Sequence, residues 1–338
     1  MSVLLPVYNG SRWLATAVSS VLAQTHANLE LIILDDASTD GSLPLARSLA
    51  KKDRRIKVVA KKHSGLSDTL NRGLRLAKGS WIARIDQDDL WLPEKLSEQI
   101  DQLLREPDLV LLGTSCVEID AEGREVRRHR YASQHDALMA DMLEMRRTIP
   151  HSSVVFSREK ALALGGYKLS LLSVQDKDLW LNLAAVGRLA CMKRPLIMLR
   201  KHPGQTSRAE SGDQQGFEDV LVTVVYLLRE RHGCAQDLLR PGSEREAFTK
   251  WLAAQSRVSA YLRALRYTYG LRAAFYGLDG SFAEKWGARL SWLARPAEAS
   301  VLLWRRHFSP DLAEILAQNW MASGFQAAAS MDIKRRKG

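Results

Sequence analysis

Through the first 115 residues, short runs of Val, Ile and Leu alternate with longer stretches in which apolar side chains return every three or four positions. Short apolar runs bounded by turn formers fit buried strands, and the longer spacing fits helices with one apolar face. The alternation predicts four strand-helix units, with strands at 3–6, 29–34, 56–59 and 81–85 and helices at 12–24, 42–51, 66–77 and 93–105. Units repeated in this way close into a largely parallel sheet with crossover helices. Pro93 suits the first turn of the fourth helix, where no N–H is needed. Beyond 109 strands and helices mix, and Asp120-Ala121-Glu122-Gly123 predicts a hairpin turn after a strand at 116–119. From about Arg208 strands fade, and Ala, Leu, Arg and Trp recur at helical spacing, broken at Pro241-Gly242, Gly270, Gly280 and Pro296. The reading is an α/β unit over 1–207, a helical region over 208–330 and a basic, disordered tail over 331–338.

A chain of 338 residues with 46% hydrophobic and 26% charged positions has the balance of an ordinary globular protein with a sizeable core. Cys116, Cys191 and Cys234 are widely spaced and form no zinc or redox motif, which fits a reducing compartment. The apolar opening is interrupted at Pro6 and Asn9 and reads as a strand, not a signal peptide. No run of eighteen apolar residues is present, so the expected location is cytoplasmic, with contact to the inner face of a membrane open. The net charge of +11 fits nucleic acid, anionic lipid or an anionic substrate. Nucleic acid is the poorest of the three, because there is no basic helix in base-reading order and no aromatic RNA-binding string.

Ligands of open parallel sheets bind beyond the carboxyl ends of the strands, and polar residues collect there. Val7-Tyr8-Asn9-Gly10, Asp35 to Gly41, Lys61-Lys62-His63-Ser64-Gly65 and Asp86-Gln87-Asp88-Asp89 follow the four strands in turn. Three carboxylates within four residues repel one another unless a cation offsets them, which a divalent ion shared with a diphosphate would do. The alternative is that Asp89 caps the following helix and the other acids are solvated. Asp40 or Ser42 is likewise a ready N-cap, which leaves Asp35 and Asp36 unexplained. No G-x-G-x-x-G follows the first strand, against a dinucleotide-binding dehydrogenase.

Nine segments, in order and spacing, resemble the family 2 glycosyltransferases of GT-A fold. They are Leu5-Pro6-Val7-Tyr8-Asn9-Gly10, Asp35 to Gly41, Gly65-Leu66-Ser67 to Asn71-Arg72-Gly73, Ala77-Lys78-Gly79 and Asp86 to Asp89, then Pro150 to Phe156, Gly165-Gly166-Tyr167, Gln175 to Trp180 and Arg200-Lys201-His202. The resemblance spans roughly 1–207 and implies a catalytic domain there, inverting sugar transfer from a nucleotide-diphosphate sugar, and Mn2+ or Mg2+ as cofactor. It implies that Pro6, Val7, Tyr8 and Asn9 line the donor site, that Asp36 bonds the base, often uracil, and that Asp68, Asp86 and Gln87 also belong to the donor side. Asp88 is implied as metal ligand, with His202 completing the metal and diphosphate site, and Asp176 as general base. His151 and Trp180 are candidates for the acceptor side, each with a reading as core instead. The expected acceptor is a glycan or lipid-linked glycan of surface polysaccharide or lipopolysaccharide. A non-catalytic nucleotide-sugar-binding module is the competing function.

Two departures from the family pattern bear on chemistry. Gln175 stands where Glu is common before the base, and Leu70 where Arg is common before the asparagine matched by Asn71; Arg72 or Lys62 could supply that charge. In the helical region Trp286, Trp292 and Trp304 alternate with Arg289, Arg295, Arg305 and Arg306. That pattern fits a membrane-surface helix or a bundle packing on the catalytic domain or on a second copy of the chain.

Overall fold

A computed structural model describes residues 1–202, 205, 212–235, 237–255 and 312–322. The chain divides into two compact units, one of 1–141 with 147–205 and one of 142–146 with 206–338. The first opens with β1 (Ser2–Val7), α1 (Ser11–Leu22), β2 (Glu30–Asp35), α2 (Ser42–Ala50), β3 (Ile56–Ala60), α3 (Leu66–Leu76) and β4 (Trp81–Arg84). β1 lies parallel between β2 and β4, and β3 is parallel to β2 at the sheet edge.

Alternation along the strands explains why helices cover both faces. Val3, Leu5, Leu31 and Ile33 share one buried cluster with Leu14, Val18 and Val21 of α1 and Ala46 of α2. The residues between them point the other way, toward α3, where Gly73 lets the helix approach so closely that a Cβ would sit 2.8 Å from Leu34. Strands buried on both faces read as continuous apolar runs, which is what made them visible in the sequence.

The sheet continues through β5 (Leu90–Trp91), α4 (Lys95–Arg105), β6 (Leu109–Ile119), β7 (Glu125–His129), α5 (His135–Leu143), a 3-10 turn (His151–Ser153), β8 (Val155–Ser157), α6 (Arg158–Ala163), α7 (Gln175–Ala184) and β9 (Arg188–Arg200). Strand order is β3-β2-β1-β4-β8-β6-β9-β5, with β7 paired to β6. β8 is antiparallel to both β4 and β6, whereas β6 and β9 run parallel. The fourth helix starts at Lys95, later than the pattern predicts, because Leu90–Trp91 pairs with β9. Pro93 therefore precedes the helix and its carbonyl accepts from Thr25 N at 2.9 Å. The predicted hairpin turn is present: Gly123 adopts φ 91° and the Asp120 carboxylate accepts from the Glu122 and Arg124 amides.

Among the described residues the second unit is helical, with α8 (Gly212–His232), α9 (Ser243–Ala253) and α10 (Leu312–Ala322). Glu314 of α10 receives Arg231 and His232 of α8 at 3.0 and 2.9 Å, and Phe248 and Trp251 of α9 pack on Trp320 of α10. The expected break at Gly242 is seen immediately before α9. The tryptophan and arginine alternation from Trp286 to Arg306, the breaks at Gly270, Gly280 and Pro296, and the tail at 331–338 lie outside the described residues. No described helix is long and apolar enough to cross a membrane.

Candidate active site

The ends of β1, β2 and β4 meet in one place, held by side chains that bond across loops. Gln87 donates to the Tyr8 carbonyl at 3.1 Å and accepts from its amide at 2.9 Å, tying the β1 end to the acidic segment. Gly10 is required beside it, since a Cβ there would lie 2.2 Å from Gln87 Oε1. Asn9, at φ 51°, accepts from Thr39 N, and Asp40 accepts from the amides of Ser11 and Ser42. These bonds to Asp40 outweigh its partial burial and lower its pKa to about 2. Asp40 thus braces the loop, and the N-cap position of α2 falls on Gly41.

One carboxylate oxygen from each of Asp86, Asp88 and Asp89 lies within 4.8 Å of the others. Their repulsion is only partly offset. Arg84, 1% exposed, pairs with Asp86 from beneath, and this attraction outweighs the burial that would lower the guanidinium's pKa. Ser152 Oγ lies within hydrogen-bond distance of both Asp86 and Asp89, to one of which its single proton goes, and it accepts from the Asp86 amide at 3.0 Å. Arg200 donates its backbone N–H to Asp89 at 2.9 Å and its Nε to the Asp88 carbonyl at 2.9 Å. His202 Nε2 stands 2.9 Å from Asp88 Oδ2, and its ring packs on Trp13 at 4.2 Å.

Burial and then the Asp86 charge still raise the Asp88 carboxyl above its ordinary value, against the pull of His202. Burial, then Asp88 and Asp86, push Asp89 further up. The raised values of these two carboxyls reflect burial and a mutual repulsion that the protein only partly offsets, and a donor set of oxygens and one imidazole suits a hard divalent cation. Asp89 does not cap α4; its oxygens are used by Ser152 and Arg200, and that helix has no side-chain cap.

Beside this cluster, the Asp36 carboxylate gathers the segment after β3. It accepts from Lys61 Nζ and the Ser64 and Gly65 amides, with His63 Nδ1 3.0 Å from Oδ2. These bonds outweigh burial and lower its pKa. Lys61 also pairs with Asp68 at 3.3 Å, which places a cation in this loop, while Leu70 is core. The His63 ring rests on Tyr8 with centroids 4.8 Å apart, and both are substantially exposed. Pro6 and Val7 are buried; the Val7 side chain belongs to the core and its carbonyl accepts from Asp36 N.

Asp176 lies in the first turn of α7, one residue past Gln175; the N-cap position is Val174, so Asp176 does not hold that place. Tyr167 lies in the field of both Asp176 and Asp86, and its hydroxyl is 2.9 Å from His151 Nε2. Burial and then Arg84 pull the His151 pKa well below its usual value, so its imidazole is neutral at pH 7. Trp180 is 0% exposed, bonds the Ile149 carbonyl and packs on Phe156 and His151, which makes it core with no face open to a sugar. The supporting residues Arg84, Ser152, Tyr167 and Arg200 have no assigned role in the sequence reading. Ser152, Tyr167 and Arg200 fall inside segments that carry the family resemblance, whereas Arg84 shows there only as a lone cation inside Trp81-Ile82-Ala83-Arg84-Ile85.

The amylovoran biosynthesis glycosyltransferase AmsE of Erwinia amylovora is 30% identical over 189 residues, covering 55% of this chain and 70% of that protein. Three rickettsial relatives match at 30 to 39% identity, and the chain spans only 32%, 21% and 32% of their length. Among solved structures, S. aureus TarS 1-349 in complex with UDP-GlcNAc aligns with a TM-score of 0.58 at 16% identity, over 95% of this chain and 91% of that one. The mannosyltransferase PcManGT of Pyrobaculum calidifontis, in complex with GDP-Man and Mn2+, aligns with a TM-score of 0.56 at 18% identity, over 94% and 86%. These two likenesses bear on the fold, which is the GT-A arrangement of a mixed, mostly parallel sheet. The profile described as "Glycosyl transferase family 2" matches residues 2–162, and with the coverage of AmsE this shows that the chain belongs to that family.

Proposed function

We propose that the chain is an inverting glycosyltransferase that moves a sugar from a nucleotide-diphosphate sugar, a UDP-sugar, to a glycan or lipid-linked acceptor of surface polysaccharide. The observation that carries this is the convergence of Asp86, Asp88 and Asp89 at the β4 end, next to the Tyr8 and Asp36 loops. AmsE, whose name places it in amylovoran biosynthesis, supports the polysaccharide setting, and the TarS complex with UDP-GlcNAc supports the donor class. The catalytic domain extends over 1–207, and the protein works on the cytoplasmic side.

Tyr8 receives the base on its exposed ring, and the base N–H takes the Asp36 oxygen that His63 faces here. Asp68 and Lys61 border the same pocket. Asp88 with His202, and Asp86 and Asp89 beside them, would hold Mn2+ or Mg2+, whose chemistry is to neutralise charge on the departing diphosphate. Asp176 removes the proton of the acceptor hydroxyl as it attacks the anomeric carbon from the side opposite the diphosphate, which inverts that centre. Asp88→Ala and Asp176→Asn should each lower sugar transfer by about 10²- to 10⁴-fold with circular dichroism unchanged. Wild-type turnover in both variants would remove the assignment, and donor binding without product from any acceptor would favour the binding module.

A further inference from the structure

Residues 41–79 hold eleven Lys and Arg against two Asp, a net of +9 out of the +11 of the whole chain. The positive charge of this protein is therefore a local feature, and the fold gathers it on one side of the first unit. α2 covers one face of the sheet and α3 the other, with β3 as the open edge between them. Arg47 and Lys51, one turn apart, are exposed at the end of α2; Arg54 and Lys57 at β3; Arg72 and Arg75 on α3. Nine Lys and Arg in this stretch are exposed and no Asp or Glu is, because Asp53 is drawn in by Arg55 and Asp68 by Lys61 and Ser64.

A lysine or two is enough to keep an edge strand from pairing with another sheet. The surplus here extends across the outer turns of both flanking helices and far exceeds that need. We infer that the face formed by α2, the β3 edge and α3 docks the protein on an anionic lipid bilayer surface. Charge complementarity selects the occupant. Residues 41–79 contain no Phe, Tyr or Trp on which bases could stack, and every exposed cation is a Lys or Arg suited to phosphate contact without sequence reading. No large apolar side chain is exposed in the stretch, so docking is electrostatic at headgroup level and does not involve insertion. Charge and exposure carry this inference, and it stands without the transfer reading.

Flotation of the whole protein with vesicles of phosphatidylcholine containing from none to 40% (about) phosphatidylglycerol tests it. Binding should require the anionic lipid and fall steeply between about 0.1 and 0.5 M salt. Combining Arg47→Gln, Lys51→Gln, Arg54→Gln and Lys57→Gln should weaken binding by about a hundredfold, while a matched set at Arg124, Arg127, Arg128 and Arg130 should not change it. All these side chains are exposed, so circular dichroism and melting should stay as in the wild type. Equal binding to neutral vesicles, undiminished binding of the first variant, equal loss in the second, or tighter binding to duplex DNA at the same salt would each overturn it. Calorimetry with nucleotide sugars reports on the donor site separately, so the two readings fail by different measurements.

Discussion

Lys95 opens α4 and is 0% exposed, with Nζ 2.8 Å from Gln99 Oε1 and 3.9 Å from the centre of the Trp91 ring. No carboxylate is bonded to it among the described residues, and burial lowers its pKa well below the ordinary lysine value. Burial disfavours the ammonium in the folded chain relative to the unfolded one, so this position costs stability at pH 7. The cost shrinks as pH rises toward the unfolded value of about 10.4, where both states are neutral. Lys95→Met should raise the unfolding free energy at pH 7, the relief of the buried amine group outweighing the loss of about 1 kcal/mol for the Gln99 bond. Urea titrations at several pH values should show the gain shrinking toward pH 10, and a constant gain would mean the ammonium stays charged in the fold. The sequence pattern starts this helix at 93; the short β5 pairing, invisible in the local pattern, moves the start to Lys95. Contacts of the site were legible where a strand end alone supplied the context, as in the grouping of Asp86 and Asp88. They were not legible at Ser152 and Arg200, whose partners are 66 and 111 residues away.

The elements divide in the same way. β1 to β4 and the helices between them follow from local periodicity and crossover packing. The pairing of β6 with β9 joins Leu109 to Arg188, and β8 enters between β4 and β6 in the opposite direction, relations that no local window carries. One cross-link spans both kinds of region. Asn71 on α3 donates to the Tyr167 carbonyl at 2.7 Å and accepts from its amide at 2.8 Å. Gly166, at φ 68°, accommodates it, since a Cβ there would lie 2.4 Å from Asn71 Oδ1. Asn71 therefore fixes the turn that leads toward α7 and Asp176. Asn71→Ala leaves two buried backbone groups unpaired and should cost about 2–4 kcal/mol in urea unfolding. At temperatures where it remains folded, it should lower kcat for sugar transfer more than it changes donor KM, because the loosened segment leads to the proposed base. Unchanged kcat would separate the clamp from the chemistry.

At the scale of the molecule, charge is sorted. Most of the positive surplus lies between 41 and 79, while the β4 end concentrates three carboxylates countered mainly by Arg84 and the contact with His202. A nucleoside diphosphate approaching that cluster meets repulsion unless a cation is shared between them, so metal and donor should bind cooperatively. By linkage, whatever factor the metal adds to donor affinity, the donor adds to metal affinity. Calorimetry of UDP-sugar binding should show affinity at least about tenfold higher with Mn2+ than with chelator, and Mn2+ titrations should gain the same factor when donor is present. Asp88→Asn keeps the shape of the side chain and its contact with His202 but removes one charge. It should reduce both factors together and leave the metal-free fold no less stable, because a raised and buried carboxyl has been relieved. Thermal melts with and without metal and donor read the same linkage independently. Donor affinity that ignores Mn2+ while Asp88→Asn still abolishes transfer would show that the carboxylates act on the sugar directly, and the metal assignment would give way.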